Sequence, residues 1–277
     1  MKQIGPGFLC LPERSEKPRS DGLTHVLDKG LSQVGLESLI QTAGDCIDII
    51  KLGWGTAYVS DGVKAKVEIC RSAGINLCLG GTLLEICDLQ GRITDYVKWL
   101  HRLGITHVEV SNGALDMPTE RKRELISMLA QEFRVLSECG SKNPDQEVVS
   151  AAWVQEMSAD LAAGASLLIA EARESGTVGL YGLNGEVRSE LVEALIEDLP
   201  VGRIIFEAPR KDQQAWFIRR LGPAANLGNI PADEVVALET LRLGLRSDTL
   251  DMLPPVNGAA SPPERNGTAH HSPSLFH

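Results

Sequence analysis

The sequence predicts an α/β protein of the (β/α)8 TIM-barrel class, and three observations lead to that prediction. Gly44, Gly74, Gly104 and Gly164 recur at multiples of 30 residues, and each is followed by a short apolar run. Glycine is the usual left-handed C-cap of a helix, and a short apolar run is typical of a buried strand. A period near 30 residues fits one strand, one loop and one helix, and eight such units in about 230 residues match the usual size of this barrel.

The eight predicted strands follow the order of this repeat. They are placed at Leu23–Asp28, Ile47–Gly53, Asn76–Gly81, His107–Asn112, Arg134–Gly140, Ser166–Glu171, Arg203–Ala208 and Asn226–Ile230. Helical segments fit between them, for example at Pro118–Gln131, Glu190–Leu199 and Asp212–Leu221. The alternative is an open doubly wound sheet, which requires a glycine-rich phosphate loop after its first strand. The first strand here ends in L-D-K-G-L-S without such a loop, so the barrel is favoured.

The two ends of the chain differ in composition from the middle. Residues 1–20 predict a polar arm, residues 21–252 the barrel, and residues 253–277 a tail rich in Pro, Ser, Gly and Asn that we expect to be disordered. The net charge of −10 argues against nucleic acid or an anionic membrane as a partner. Neither a membrane span nor a signal peptide is predicted, so we expect a cytoplasmic location. The six cysteines contain no C-x-x-C pair and are expected to be reduced.

Ionisable side chains stand at or just after the ends of nearly all predicted strands. The densest example is E-A-R-E-S-G, from Glu171 to Gly176, which directly follows the apolar run S-L-L-I-A. Because the carboxyl-terminal ends of the strands build the active site of such a barrel, these side chains are expected to share one polar mouth. The basic members are Lys29, Lys51, Lys142, Arg173 and Lys211, and the acidic ones include Glu85, Glu109, Glu138, Glu171 and Glu207.

Two interpretations of these charges stay open on the residues alone. Basic side chains that converge in an acidic protein focus a positive potential, which favours an anionic substrate. The carboxylates could hold a hard divalent ion, or they could only neutralise the lysines in a self-satisfied network. No nucleophilic triad is present, and His25 is expected to be a core residue. Lysines and carboxylates are therefore the candidates for proton transfer, and a lysine crowded by cations is expected to have a lowered pKa.

The last predicted strand suggests a phosphate site. The stretch G-P-A-A-N-L-G-N-I-P, which begins at Gly222, brings small residues to the mouth, and Pro231 fits the first turn of a helix. Backbone amides at a helix N-terminus bind anions, although glycine at this place could simply allow tight packing. Further along, Arg242 and Arg246 are spaced i, i+4, and we expect Arg242 to belong to a solvent-facing stripe of charge.

Several longer motifs resemble the phosphosulfolactate synthase family. They are G-L-T-H-V-L-D-K-G-L from Gly22, I-D-I-I-K-L-G-W-G-T from Ile47, G-G-T-L-L-E from Gly80, E-V-S-N-G from Glu109, E-C-G-S-K from Glu138, I-A-E-A-R-E-S-G from Ile169 and I-F-E-A-P-R-K-D-Q-Q from Ile205. Asn112 stands where an aspartate is usual in the archaeal branch, and Ser141 stands where the first lysine of a K-K pair is usual. Both residues are similar to those of the bacterial branch, so a bacterial-type member is expected.

The resemblance implies a (β/α)8 enzyme that adds sulfite to phosphoenolpyruvate, with Mg2+ as cofactor, and gives (2R)-2-phospho-3-sulfolactate. It also implies that the protein forms a homo-oligomer and that it binds small anions, phosphoenolpyruvate and sulfite. In methanogenic archaea this reaction begins coenzyme M biosynthesis, and in some bacteria it leads toward sulfolactate. The alternatives are another phosphoenolpyruvate lyase or aldolase on the same barrel, and a non-catalytic stress-related homologue.

On this resemblance the charged residues acquire predicted roles. Lys142, Lys51 and Lys29 are the predicted catalytic residues, with Lys142 as the proton donor to C2 of the substrate. The predicted substrate-binding residues are Arg173, Lys211, Asn226, Gly228 and Asn229. The predicted metal ligands are Glu85, Glu109 and Glu207.

Overall fold

A computed structural model describes residues 5–115, 117–140 and 148–255 of the chain. Within these residues eight parallel strands close into a barrel in chain order, with β8 paired to β1. The strands are β1 (Thr24–Asp28), β2 (Ile49–Leu52), β3 (Asn76–Leu79), β4 (His107–Val110), β5 (Arg134–Cys139), β6 (Leu167–Ala170), β7 (Ile204–Glu207) and β8 (Leu227–Pro231). The predicted (β/α)8 barrel is confirmed, and each observed strand overlaps its predicted counterpart.

Helices alternate with the strands and surround the barrel. The α-helices of the described residues are α1 (Gln33–Ala43), α2 (Thr56–Val59), α3 (Val63–Ser72), α4 (Gly81–Leu89), α5 (Ile93–Leu103), α6 (Thr119–Leu129), α7 (Ser150–Ala163), α8 (Ser189–Asp198), α9 (Lys211–Leu221) and α10 (Val235–Arg242). Gly104 and Gly164 end α5 and α7 with φ of 75° and 115°, the left-handed conformation that the repeat predicts. Gly44 differs, because it has φ of −58° and begins a short 3-10 helix instead.

The interior of the barrel is built in layers. One apolar layer consists of Ile49, Cys78, Leu136, Ile169 and Ile205. Two residues further along four of these strands, or just past the strand end, stand Lys51, Glu138, Glu171 and Glu207. Side chains in a strand repeat with a period of two, so these charged residues share the interior face with the apolar layer and lie closer to the carboxyl-terminal ends. The charged layer thus packs directly on the apolar layer, on its carboxyl-terminal side.

Arg242, at the end of α10, is fully buried rather than exposed, so the expectation of a solvent-facing stripe is wrong for this residue. Its Nη1 donates to the carbonyls of Pro223 and Ala225, both at 2.6 Å, and its Nη2 donates to the carbonyl of Leu23 at 3.1 Å. Burial lowers the pKa of Arg242 to about 9. A buried guanidinium is costly without acceptors, and these carbonyls supply them. Arg242 therefore joins the segments that lead into β1 and β8.

The segment before β1 has no helix or strand between residues 5 and 22. In the part of the chain that the structure describes, no helix has both the length and the apolar character that crossing a membrane requires. The boundaries at residues 20 and 252 stay predictions, and most of the predicted tail, residues 256–277, lies outside the described residues. All six cysteines are free thiols, and Cys70, Cys78 and Cys139 are buried.

Candidate active site

A cavity of about 440 Å³, which we call the mouth cavity, lies at the carboxyl-terminal ends of the strands. This volume falls within the usual range for small-molecule sites. The charged residues that line it are Lys51, Glu109, Glu138, Glu171, Arg173, Glu174 and Glu207. Each of them stands at or just after the end of a strand, as the sequence predicts for the shared polar mouth.

Lys51 is the central cation of the mouth cavity. Its side chain is buried, and its Nζ lies 3.0 Å from Glu109 Oε2 and 3.1 Å from Glu207 Oε1. A third carboxylate oxygen, Oε2 of Glu138, lies 3.7 Å away. The three glutamates come from β4, β7 and β5, so the barrel closure gathers them around one ammonium group. A buried charge requires such partners to be tolerated.

Burial and charge act in opposite directions on these groups. Burial alone lowers the pKa of Lys51, but Glu109, Glu207 and Glu138 outweigh it and raise the pKa well above its ordinary value. The expectation of a lowered pKa therefore does not hold for Lys51, which is surrounded by carboxylates rather than cations. Burial raises the pKa of Glu207 to about 7, against the opposing effect of Lys51. The pKa of Glu109 is also raised by burial.

The same glutamates fix the neighbouring loops. Oε1 of Glu109 accepts a hydrogen bond of 2.7 Å from the amide of Gly81, which starts α4. Oε2 of Glu207 accepts one of 2.8 Å from the amide of Ala172, after β6. In the motif G-G-T, the backbone at Gly80 packs closely against the backbone at Trp54. A Cβ on Gly80 would lie only 2.7 Å from the amide nitrogen of Trp54. Each carboxylate thus binds a loop on one side and Lys51 on the other.

Glu85, a predicted metal ligand, does not face the mouth cavity. It is fully buried on α4, where Oε2 accepts hydrogen bonds from the amides of Leu115 at 2.7 Å and Ala114 at 3.1 Å. Its Oε1 accepts a hydrogen bond from the hydroxyl of Ser111. Both oxygens therefore hold the loop that follows β4. Among the described residues, no group of three or more His, Cys, Asp and Glu side chains is arranged to hold a metal ion.

The predicted basic residues separate in space. Arg173 lines the mouth cavity together with Lys51. Lys29 is half exposed, and its Nζ lies 3.7 Å from Oε2 of Glu174 at the rim. Lys211 starts α9 and forms an ion pair of 3.0 Å with Asp248, and neither residue lines the cavity. Lys142 lies outside the described residues.

The three predicted residues of the last strand have three different environments. Asn229 lines the mouth cavity with a left-handed φ of 53°, and its buried Oδ1 has no hydrogen-bond partner among the described residues. Strained backbone of this kind is concentrated at functional sites, and Trp54, which also lines the cavity, has φ of 50°. Gly228 lies deeper, where a Cβ would stand 2.8 Å from Ile205, so the alternative of tight packing fits it.

Asn226 lies at the opposite, amino-terminal end of the barrel. Its Oδ1 accepts from the amide of Leu23 at 2.9 Å. Its Nδ2 donates to the carbonyls of Gly202 at 2.9 Å and Ile204 at 3.2 Å. These contacts join the segments that lead into β1 and β7, so the structure does not bring Asn226 to the mouth cavity.

Glu138 and Glu171 are not among the predicted catalytic, substrate-binding or metal-ligating residues. Both are buried and both line the mouth cavity. The signal that could have singled them out is the period of two, since each follows an interior residue, Leu136 or Ile169, by two positions.

The closed parallel barrel with a charged cavity at its carboxyl-terminal end defines the class, a TIM-barrel enzyme. A solved 3-hexulose-6-phosphate synthase structure superposes with a TM-score of 0.52 over 79% of this chain and 98% of that chain. At 17% identity this likeness shows the fold alone.

The sequence comparisons define the family. The model for (2R)-phospho-3-sulfolactate synthase (ComA) matches residues 12–248. A phosphosulfolactate synthase of Methanothermobacter thermautotrophicus is 45% identical over 86% of this chain and 95% of the relative. One of Bacillus subtilis is 40% identical over 87% of this chain and 97% of the relative. The chain belongs to the phosphosulfolactate synthase family, as its motifs predict, and the assignment to a bacterial branch stays a prediction.

Proposed function

We propose that this enzyme adds sulfite to C3 of phosphoenolpyruvate and forms (2R)-2-phospho-3-sulfolactate. The observation that carries the proposal is the buried ammonium of Lys51, which contacts Glu109 and Glu207 in a cavity that also contains Arg173. The family match over residues 12–248 supports the same reaction.

The reaction forms one C–S bond and one C–H bond. The lone pair on the sulfur of sulfite attacks C3, and the π electrons of the C2–C3 double bond move to C2 and into the carboxylate. A proton is then added at C2. Negative charge therefore builds on the carboxylate in the transition state, and a fixed cation in a site shielded from water stabilises such charge without reorganising.

Lys51 is proposed as that fixed cation. Its raised pKa keeps the side chain an ammonium at neutral pH, so it acts as an electrostatic stabiliser and not as a base. The hydrogen bonds from Gly81 to Glu109 and from Ala172 to Glu207 hold the carboxylates that orient it. This arrangement is preorganised, because Glu109 and Glu207, the two carboxylates nearest to Lys51, are each fixed by a loop amide.

Arg173 and Asn229 are proposed to bind the substrate anions. The planar guanidinium of arginine presents paired donors that match a phosphate or a carboxylate. The amide of Asn229 faces the same cavity, and its Nδ2 can donate to a substrate oxygen. Lys29 and Lys211 contribute at most to the potential at the rim, since each has an acidic partner. Lys142 remains the proposed proton donor at C2.

Magnesium is proposed as the cofactor, but through other carboxylates than the predicted ones. Glu85 is fully engaged by a loop, and the ammonium of Lys51 occupies the space between Glu109 and Glu207. Mg2+ usually takes only one or two carboxylates and completes its shell with substrate phosphate and water. Glu138 and Glu171 line the cavity and meet that requirement. When bound there, the ion would polarise the substrate oxygens as a Lewis acid.

The raised pKa of Lys51 argues against a Schiff-base aldolase. Imine formation requires a neutral amine, whereas this lysine is held in its charged form. Borohydride trapping with a keto acid is therefore expected to leave Lys51 unmodified.

A homo-oligomer in the cytoplasm is part of the same proposal. Tyr58 and Val59, on α2 beside the mouth cavity, are 76% and 84% exposed, which supports a subunit contact on this side of the barrel. Analytical ultracentrifugation of the purified protein measures its oligomeric state directly.

Phosphorus NMR of the protein with phosphoenolpyruvate, bisulfite and Mg2+ tests the proposed reaction. A new phosphate-ester resonance that requires both bisulfite and metal is expected, and EDTA is expected to abolish it. An unchanged phosphoenolpyruvate signal from folded protein would reject the synthase and favour a non-catalytic homologue.

A further inference from the structure

A second cavity lies at the amino-terminal end of the barrel, opposite the mouth cavity. We call it the floor pocket; it has a volume of about 510 Å³ and is bounded on one side by residues 17–21 of the N-terminal segment. Residues at the amino ends of β1 to β7 form its other walls. Active sites of this fold lie at the other end, so the floor pocket is separate from the proposed chemistry.

The floor pocket is basic in an acidic protein. Four basic side chains line it, against two acidic ones: Lys17, Arg19, Arg134 and Arg203, against Asp21 and Asp48. The whole chain carries a net charge of −10. A local excess of positive charge against such a background concentrates anions at one place.

Arg19 is a buried arginine in the wall of the floor pocket. Its side chain is only 5% exposed, and its Nε lies 3.3 Å from Oδ1 of Asp48. Its Nη2 donates to the carbonyl of Asp45, but its Nη1 is buried with no hydrogen-bond partner among the described residues. Leaving a buried charged donor without an acceptor is costly, so an acceptor that binds nearby is favoured.

Arg134 provides the second donor. It begins β5, is exposed toward the pocket, and its guanidinium makes no hydrogen bond or ion pair with any residue that the structure describes. Its charge acts on the pocket, because burial and Arg134 together lower the pKa of His107 to about 4. By contrast, the guanidinium of Arg203 already donates to the carbonyls of Ser166 and Ala165.

We infer that the floor pocket is a second anion site, which binds a phosphate group, free or on a small molecule, between Arg134 and Arg19. Arginine donors match the geometry of phosphate oxygens, which supports this chemical class. Since Arg19 belongs to the N-terminal segment and Arg134 to β5, a bound phosphate ties that segment to the base of the barrel.

Calorimetric titration with inorganic phosphate at constant ionic strength tests the inference. Wild-type protein is expected to bind phosphate at two sites, because the mouth cavity also accepts anions. Arg134→Gln is expected to weaken one site by at least about tenfold, and Arg173→Gln is expected to weaken the other. The control Arg92→Gln removes an equal charge from an exposed ion pair with Asp95, outside both cavities, and is expected to retain both sites.

Trypsin cleavage after Arg19 reports the tie to the N-terminal segment. In the Arg173→Gln background, phosphate is expected to slow this cleavage several-fold, and the additional change Arg134→Gln is expected to abolish the protection. Glycerol phosphate in place of inorganic phosphate distinguishes an esterified ligand from a free one. If Arg134→Gln titrates like wild-type protein, or if the Arg173→Gln protein binds no phosphate, the inference is overturned.

Discussion

Two buried lysines of this molecule have similar surroundings but different positions. Lys51 contacts three glutamates inside the barrel, and Lys122 contacts Glu156 at 2.7 Å and Asp160 at 2.8 Å between α6 and α7. Burial opposes the charge of both, and acidic neighbours raise the pKa of both above the ordinary value. Of these two lysines, Lys51 lines the mouth cavity and Lys122 does not. A buried ion cluster therefore indicates function only when an open space faces it.

Lys51→Met is expected to produce the largest effect. Removing a preorganised cation from the site of developing charge should lower kcat by about 10² to 10³-fold. The fold should persist, since Glu207 has a pKa of about 7 and can take up a proton when its partner is lost. Phosphorus NMR and circular dichroism measure turnover and folding. A variant that retains half of the wild-type kcat would remove Lys51 from the mechanism.

Lys122→Met is the matched variant outside the mouth cavity. It leaves Asp160 buried, with the hydroxyl of Ser137 at 2.6 Å as its remaining hydrogen-bond donor among the described residues, so the free energy of unfolding should fall by about 3–5 kcal/mol. The kcat of the folded fraction should stay within about twofold of wild type. Urea unfolding and activity below the transition measure the two quantities. A loss of kcat with unchanged stability would invert the comparison between the two lysines.

The pH dependence of stability separates the two clusters further. The folded-state pKa of Glu207 is raised to about 7, above its unfolded value of about 4.3. The folded state then holds this proton more tightly, so the stability that Glu207 contributes is complete below the unfolded pKa and is lost as pH rises through about 7. Between pH 5 and 8, wild-type protein should lose on the order of 3 kcal/mol relative to Glu207→Gln. Urea unfolding at several pH values measures this difference. An equal change in the free energy of unfolding between pH 5 and 8 for the two proteins would contradict the prediction.

The smallest expected effect is a change in metal affinity, which distinguishes Glu171 from Glu85 as a metal ligand. Glu171→Gln should weaken Mn2+ binding, measured by electron paramagnetic resonance, by at least roughly tenfold. Glu85→Gln should leave that affinity unchanged and instead cost about 1–3 kcal/mol of stability, because the amides of Ala114 and Leu115 lose charged acceptors. Equal losses of Mn2+ affinity in both variants would restore Glu85 as a candidate ligand.

Much of the barrel is readable from the sequence, because its signals are local. Gly104 and Gly164 end helices in the conformation that only glycine adopts easily, and the apolar runs after them are β4 and β6. In this (β/α)8 barrel the strand order follows the chain order, so correctly predicted strands suffice to place the strand-end charges at one end of the barrel.

The roles of individual charges depend on contacts between distant residues, which local patterns do not encode. In the sequence, Glu85 follows a strand end just as the carboxylates of the mouth cavity do. In the structure, the loop 26 to 30 residues further along the chain donates its hydrogen bonds to Glu85. Arg242 is spaced like a surface arginine, yet it reaches a carbonyl 219 residues away at Leu23.

Three carboxyl groups around one ammonium have a consequence for ligand binding. Burial already raises the pKa of Glu207 to about 7 and raises that of Glu109, and an arriving anion favours the protonated form of both carboxyl groups further. Substrate binding should therefore draw protons from solution. In calorimetry, the apparent binding enthalpy would then vary with the ionisation enthalpy of the buffer, and the slope of that plot would count the protons that enter with each substrate molecule.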